Sequence, residues 1–202
     1  LMSGNEQSIY SEYLSYIYKY TTEYGAKTIV LLQVGAFFEI YGIQQKDKII
    51  GSQIEEITDI CKLNISTKAQ SYDYGNIVMA GFRDYTIDKY ISMITENGYT
   101  VAVYIQVKEG KKVYRELDKV YSPGTYIDDI NSHDSKNILS IFIEEIKQFN
   151  NSYILYIGLS IVDLSVGNSI IHETFASKED DKYALDETLK FIYNFNPTET
   201  II

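Results

Sequence analysis

Leu31-Leu32-Gln33-Val34-Gly35-Ala36-Phe37-Phe38-Glu39-Ile40-Tyr41 is the stretch on which the fold turns. The apolar, β-branched run from Thr28 to Val34 reads as a buried strand. Gly35-Ala36 interrupts it, and Phe37 to Tyr41 resumes as extended chain that Gly42 is expected to close. Side chains alternate along a strand, so Phe37 and Glu39 share one face and Phe38 takes the other.

Upstream, Ile9, Tyr13, Ile17 and Tyr20 recur at helical spacing, predicting a helix over 8–24 with Gly25 at its stop. Downstream, a helix is expected over Ser52 to Cys61, with Ser52 and Glu55 as a capping box. The polar stretch Asn64 to Asn76 reads as a loop, and Ile77 to Gly81 as a short strand. Asp84 can cap a helix over Thr86 to Asn97, stopped by Gly98. Thr100 to Val107 and Lys112 to Tyr121 flank a hairpin turn, and Ser122-Pro123-Gly124-Thr125 is a further turn.

The best domain boundary lies in Asp128 to Lys136, which has little to bury. Beyond it, Ile138–Ile146, Tyr153–Leu164 and Ser169–Phe175 read as an antiparallel meander, followed by a helix over Asp181 to Phe195 that Asn196-Pro197 ends. The chain stops at Thr200-Ile201-Ile202, in what reads as a strand without a partner, so a piece of a longer protein is expected.

Composition narrows the class. The chain has 202 residues, 45% hydrophobic and 14% aromatic, with only 12 Gly and 2 Pro, which excludes disordered and collagen-like chains. One Cys excludes a disulfide scaffold and an all-Cys zinc site. Cys61 reads as a buried small hydrophobe. Neither His133 nor His172 has a Cys or His neighbour at metal-ligand spacing, so no metal site is expected. No window is apolar enough for a membrane span, and the N-terminus lacks the pattern of a secretory signal, so no membrane partner is expected. Thirty Ile against seven Ala, with 20 Tyr and no Trp, fits AT-rich coding better than a tyrosine-specific role. The net charge of −10 argues against a simple binder of duplex DNA unless basic groups gather on one face. Residues 1–130 hold 13 basic and 17 acidic groups; residues 131–202 hold 5 and 11, so the acidity is denser in the tail.

The run Leu31 to Tyr41 resembles the mismatch-recognition motif of the DNA mismatch-repair MutS family, a strand followed by Gly-Asp-Phe-Tyr-Glu-Leu-Phe. Met79-Ala80-Gly81, Tyr90-Ile91, Gly98, Val101-Ala102-Val103 and Gln106-Val107 resemble the family's next block in type and spacing. Arg115, Val120 and Ser122-Pro123-Gly124-Thr125 resemble its closing Arg…Val…Thr-Pro-Gly-Thr. Gly158-Leu159, Val162 to Gly167 and Asn196-Pro197-Thr198-Glu199 resemble the start of its connector domain. The resemblance implies an α/β fold: a mixed sheet with flanking helices over 1–130, then a partial ribonuclease-H-like connector over 131–202. It also implies a longer, dimeric, intracellular, DNA-associated protein with lever, clamp and ATPase domains, ATP and Mg in that ATPase, and a MutL-type partner at the connector. Nothing here matches G-x-x-x-x-G-K-[ST], so this stretch is not expected to bind ATP.

The resemblance makes Phe37 a stacking wedge and Glu39 its hydrogen-bonding companion at the base. The chemistry is sound. The minor-groove code is degenerate, so errors are poorly read from base edges there. An apolar wedge instead tests stiffness, because it unstacks a base step and kinks the duplex. Glu39 beside a polyanion is tolerable if it accepts from an N–H freed by mispairing, or is protonated and donates to a base nitrogen. Ala36 stands where the family has Asp, which bears on the local turn. Lys68 lies in a stretch resembling a backbone-contacting loop, its alternative being a solvated lysine. Val34 lines the groove or the core, Met79 lies near DNA, and Arg83, where the family more usually has Pro, is a candidate phosphate contact. Lys108, Lys111 and Lys112 meet phosphate or simply decorate an exposed turn. Two other readings compete: a MutS relative acting on recombination or other DNA structures, and a ribonuclease-H-like nuclease. The nuclease needs clustered acids for Mg²⁺, for which Asp163 is the tail's candidate strand carboxylate.

Overall fold

The computed structural model describes residues 4–72, 75–110, 112–126, 135–176, 180 and 182–202. It divides into two compact units, Leu1–Tyr126 and Ile127–Ile202.

In the first unit, α1 (Gly4–Tyr24) begins four residues earlier than the periodicity predicts and ends at Gly25, as expected. Strands β1 (Thr28–Val34) and β2 (Phe37–Gln45) form an antiparallel hairpin in which Val34 faces Phe37. The strand β2 runs through Gly42 rather than ending there. A Cβ at that glycine would stand 2.6 Å from Ile49 and 2.9 Å from Ile54, so it serves close packing, not termination. A short β3 (Lys48–Ile50) folds back on the end of β2. Helix α2 spans Ile54–Cys61, and its expected capping box is absent. The Ser52 hydroxyl instead donates to the Tyr41 carbonyl at 2.5 Å. Burial of Ile54, Ile57 and Cys61 fixes the helix without a side-chain cap.

The stretch read as a loop is mostly strand: β4 (Ser66–Tyr72) and β5 (Gly75–Arg83), paired antiparallel with a register shift between Thr67 and Ser71. β4 is an edge strand, half solvated, so polar residues suit it and hide its periodicity. Asp84 opens a 3-10 turn, Asp84–Thr86, and accepts from the Tyr85 N–H; α3 follows over Ile87–Glu96. The hairpin β6 (Thr100–Glu109) and β7 (Lys112–Tyr121) closes the sheet, and the Ser122 turn follows as expected. Among the described residues the strand order is β4-β5-β2-β1-β6-β7, with β3 beside β2, and β1 pairs β6 parallel.

The two faces of this sheet are covered differently. Tyr41 packs edge-on against Tyr10 and Tyr13 of α1, while Tyr104 stacks on Tyr16 at 3.9 Å. On the opposite face, Phe38 meets Phe82, which stacks on Tyr90 of α3 at 4.1 Å. Cys61 is buried as expected, and desolvation pushes its thiol up to about 11.

The second unit contains β8 (Asn137–Lys147), β9 (Tyr153–Asp163) and β10 (Asn168–Phe175), the expected meander. Helix α4 (Tyr183–Phe195) buries Ala184 and Phe191 in a core with Leu139, Ile141, Ile157, Leu159 and Ile161, and His172 stacks on Phe191. Asp181, expected to begin this helix, and His133 lie outside the described residues. The terminal run is not unpartnered: β11 (Glu199–Ile201) pairs parallel with β8, giving the order β10-β9-β8-β11. Among the described residues no helix is long and apolar enough to cross a membrane.

Candidate nucleic-acid interface

The β1–β2 turn is two residues long, Gly35 and Ala36. Gly35 sits at φ 62°, a left-handed value that glycine adopts without a steric penalty, and Ala36 does not share it. Glycine first in a two-residue hairpin is the arrangement whose twist matches the flanking strands. The alanine therefore fits the turn in place of the family's Asp, and its carbonyl accepts from the Asp84 N–H at 3.0 Å.

At this turn the sheet separates two neighbouring rings. Phe38 is 4% exposed and belongs to the core; Phe37 is 39% exposed. Arg83 lies directly opposite Phe37 on β5, and its guanidinium sits 4.6 Å from the Phe37 ring centroid. No carboxylate pairs with Arg83 among the described residues. An attractive cation–π contact therefore holds the ring while leaving its edge in water.

Glu39 follows two residues on, same face, half-buried. Its cross-strand partner is Gly81, where a Cβ would stand 2.7 Å from the Phe38 carbonyl oxygen and 3.3 Å from Glu39 Cγ. The missing side chain makes room for the carboxylate. Tyr41 donates its hydroxyl to Glu39 Oε2. Burial, then the Glu39 hydrogen bond and charge, hold the Tyr41 phenol well above its ordinary 10.0, so it remains a donor. Oε1 of Glu39 has no hydrogen-bond partner among the described residues.

Strand register puts Val34 opposite Phe37 and Met79 opposite Tyr41, both half-buried on this same face. The structure thus gathers Phe37, Glu39, Val34, Met79 and Arg83. Lys68 is not with them. It lies in strand β4, not a loop, beyond the Ser66–Met79 pair, at about the level of Ile43. That is roughly 20 Å along β2 from Phe37 at ~3.3 Å per residue. Lys108 and Lys112 flank the exposed tip of the β6–β7 hairpin; Lys111 lies outside the described residues. Sequence reasoning missed Tyr41 and Gly81 as parts of this cluster. The alternation that paired Phe37 with Glu39 already put Tyr41 on their face, whereas Gly81 depends on register between distant strands.

Residues 14–130 match the family model of MutS domain I. The chain belongs to the MutS family. It is 34% identical over 201 residues to a DNA mismatch repair mutS homolog of Acanthamoeba polyphaga mimivirus, covering 98% of this chain and 18% of the relative. It is 30% identical over 178 residues to the DNA mismatch repair protein MutS of Thermodesulfovibrio yellowstonii, covering 86% and 17%. Against MutS of Parabacteroides distasonis the identity is 28% over 181 residues, covering 86% and 18%. The chain thus spans less than a fifth of the length of these MutS relatives.

Proposed function

We propose that this MutS domain detects mispaired or looped-out bases by inserting Phe37 as a stacking wedge, with Glu39 hydrogen-bonding the base. The observation that carries the reading is the split between adjacent rings: Phe38 is sealed in the core while Phe37 stands open at a hairpin turn. Smooth bending of DNA costs on the order of 1–6 kcal/mol, and less is needed where pairing has already failed. Stacking on a base returns about 1–3 kcal/mol. Discrimination is the difference in deformation cost between sound and defective sites. Tyr41 holds one oxygen of Glu39 and leaves Oε1 for the base. A matched pair has no spare group for it, so the carboxyl pays an unmatched desolvation cost there. Val34 stands beside the ring and lines the groove, Met79 lies near the DNA further along the same face, and Arg83 exchanges the ring face for a phosphate. Lys68 is a candidate phosphate contact further along the sheet.

The module works within a larger, dimeric, ATP-dependent protein, with ATP and Mg in a separate ATPase domain. The second unit is read as the start of a ribonuclease-H-like connector with a MutL-type partner. The meander β10-β9-β8, joined by a parallel β11 after a helix, supports that reading. In the full-length protein, Phe37→Ala should lower affinity for a mismatched duplex about 5- to 150-fold, the equivalent of the lost stacking. Affinity for matched duplex should stay near wild type. Titration of labelled duplexes checks this, and an unchanged preference for mismatches would remove the wedge from the mechanism.

A further inference from the structure

The parallel pairing of β1 with β6 ends at Leu32–Tyr104, two residues before β1 itself ends at Val34 and the turn to Phe37 begins. Two glutamine side chains extend the connection past that point. The Gln106 backbone N–H donates to Gln33 Oε1 at 2.9 Å, and the Gly35 N–H donates to Gln106 Oε1 at 3.1 Å. Arg115, facing Gln106 on β7, donates through Nε to the Gln33 carbonyl at 3.0 Å. The far side of the turn is tied by the Asp84 N–H to Ala36. Gly35, Ala36 and Phe37 are all exposed, so core packing does little to aim the ring. Beside the pairing of Phe37 with Val34 and Arg83, what fixes the turn is this set of directed bonds.

We infer that Gln106 is a positioning residue for Phe37: its carboxamide oxygen, by holding the Gly35 N–H, sets the direction in which the ring leaves the sheet. This rests on the wedge reading above. A wedge profits from a defective step only if it meets the gap already aimed. A turn released from Gln106 samples several directions and must be ordered on binding, which costs affinity for the mismatch alone. Contacts to the DNA backbone made away from this turn do not depend on where the ring points.

The test uses full-length protein. Gln106→Leu removes the acceptor at similar volume; Gln106→Glu keeps an oxygen there. Gln106→Leu should lower the mismatched-to-matched affinity ratio about five-fold, the worth of one hydrogen bond, with matched affinity unchanged. Gln106→Glu should restore the ratio. Amide exchange at Gly35 should quicken in the leucine variant and not in the glutamate one. Should the leucine variant fold poorly, Gln106→Met provides the same deletion with a more adaptable chain. The inference is overturned if the leucine ratio stays at the wild-type value, or if leucine and glutamate reduce it equally. Phe37→Ala in the same series separates the two failures. If Phe37→Ala loses discrimination and Gln106→Leu does not, only the positioning role falls; if Phe37→Ala keeps it, the wedge reading falls and takes this inference with it.

Discussion

Arg83 has two places to put its charge. In the free domain its guanidinium rests on the Phe37 ring with no carboxylate partner among the described residues, in a chain of net charge −10. An exposed cation–π contact is worth about 0.5–1 kcal/mol, while a hydrogen-bonded phosphate is a stronger partner. Entry of the ring into DNA would strip the first contact and bring the second within reach. Arg83→Gln in the full-length protein should therefore flatten the plot of log affinity against log salt by about one unit of slope on mismatched duplex, and by less on matched duplex, where the ring does not enter. Titrations at several salt concentrations measure it; an unaltered slope would leave Arg83 as a companion of the ring only. Glu39 has a steadier neighbour. The raised Tyr41 phenol stays protonated across the neutral range, so that hydrogen bond is constant there.

At the scale of elements, the strands β2 and β5 form the platform, and their fit depends on Gly81. Gly81→Ala would place a carbon 2.7 Å from the Phe38 carbonyl, and backbone cannot yield as a side chain would. We expect a loss of about 1–3 kcal/mol, typical of overpacking, seen as a lower thermal midpoint, with mismatch preference reduced because Glu39 is displaced. A midpoint equal to wild type would show that the pair tolerates a Cβ. The same two strands show what a linear reading can and cannot reach. Phe37 and Glu39 share a face because alternation is local, and that much was legible from their spacing. Helices α1 and α3 and the three-stranded meander were legible too, since their burial periods are written in consecutive residues. Strand β4 was not, because an edge strand may be polar on both faces and so lacks a period. Nor was the fate of Ser52, whose hydroxyl is taken by Tyr41, eleven residues away, in place of the α2 terminus. Lys68 was read in a loop for the same reason as β4, and its distance from Phe37 is a matter of cross-strand register, which sequence proximity does not encode.

Across the whole molecule, the buried members of the 20 tyrosines bear on its response to alkali. Burial first, and then the hydrogen bonds that their hydroxyls donate to Glu12 and Glu56 respectively, push Tyr16 and Tyr99 up to about 12 from 10.0. Burial also raises Tyr13 and Tyr104. The folded state holds these protons more tightly than the unfolded chain does. That stabilisation is complete below pH 10 and is lost as pH climbs through the folded values. The thermal midpoint of the 202-residue chain, followed by circular dichroism, should be level up to about pH 9.5 and fall steeply between about pH 10 and pH 12. A level profile across that interval would mean the phenols ionise freely in the folded protein. The bond between Gly35 and Gln106 has a further consequence, in time. It joins residues 71 apart in the chain. At ~5–20 residues per second the ribosome releases the hairpin roughly 4 to 14 s before the glutamine that secures it. The turn that precedes Phe37 is thus made early and fastened late.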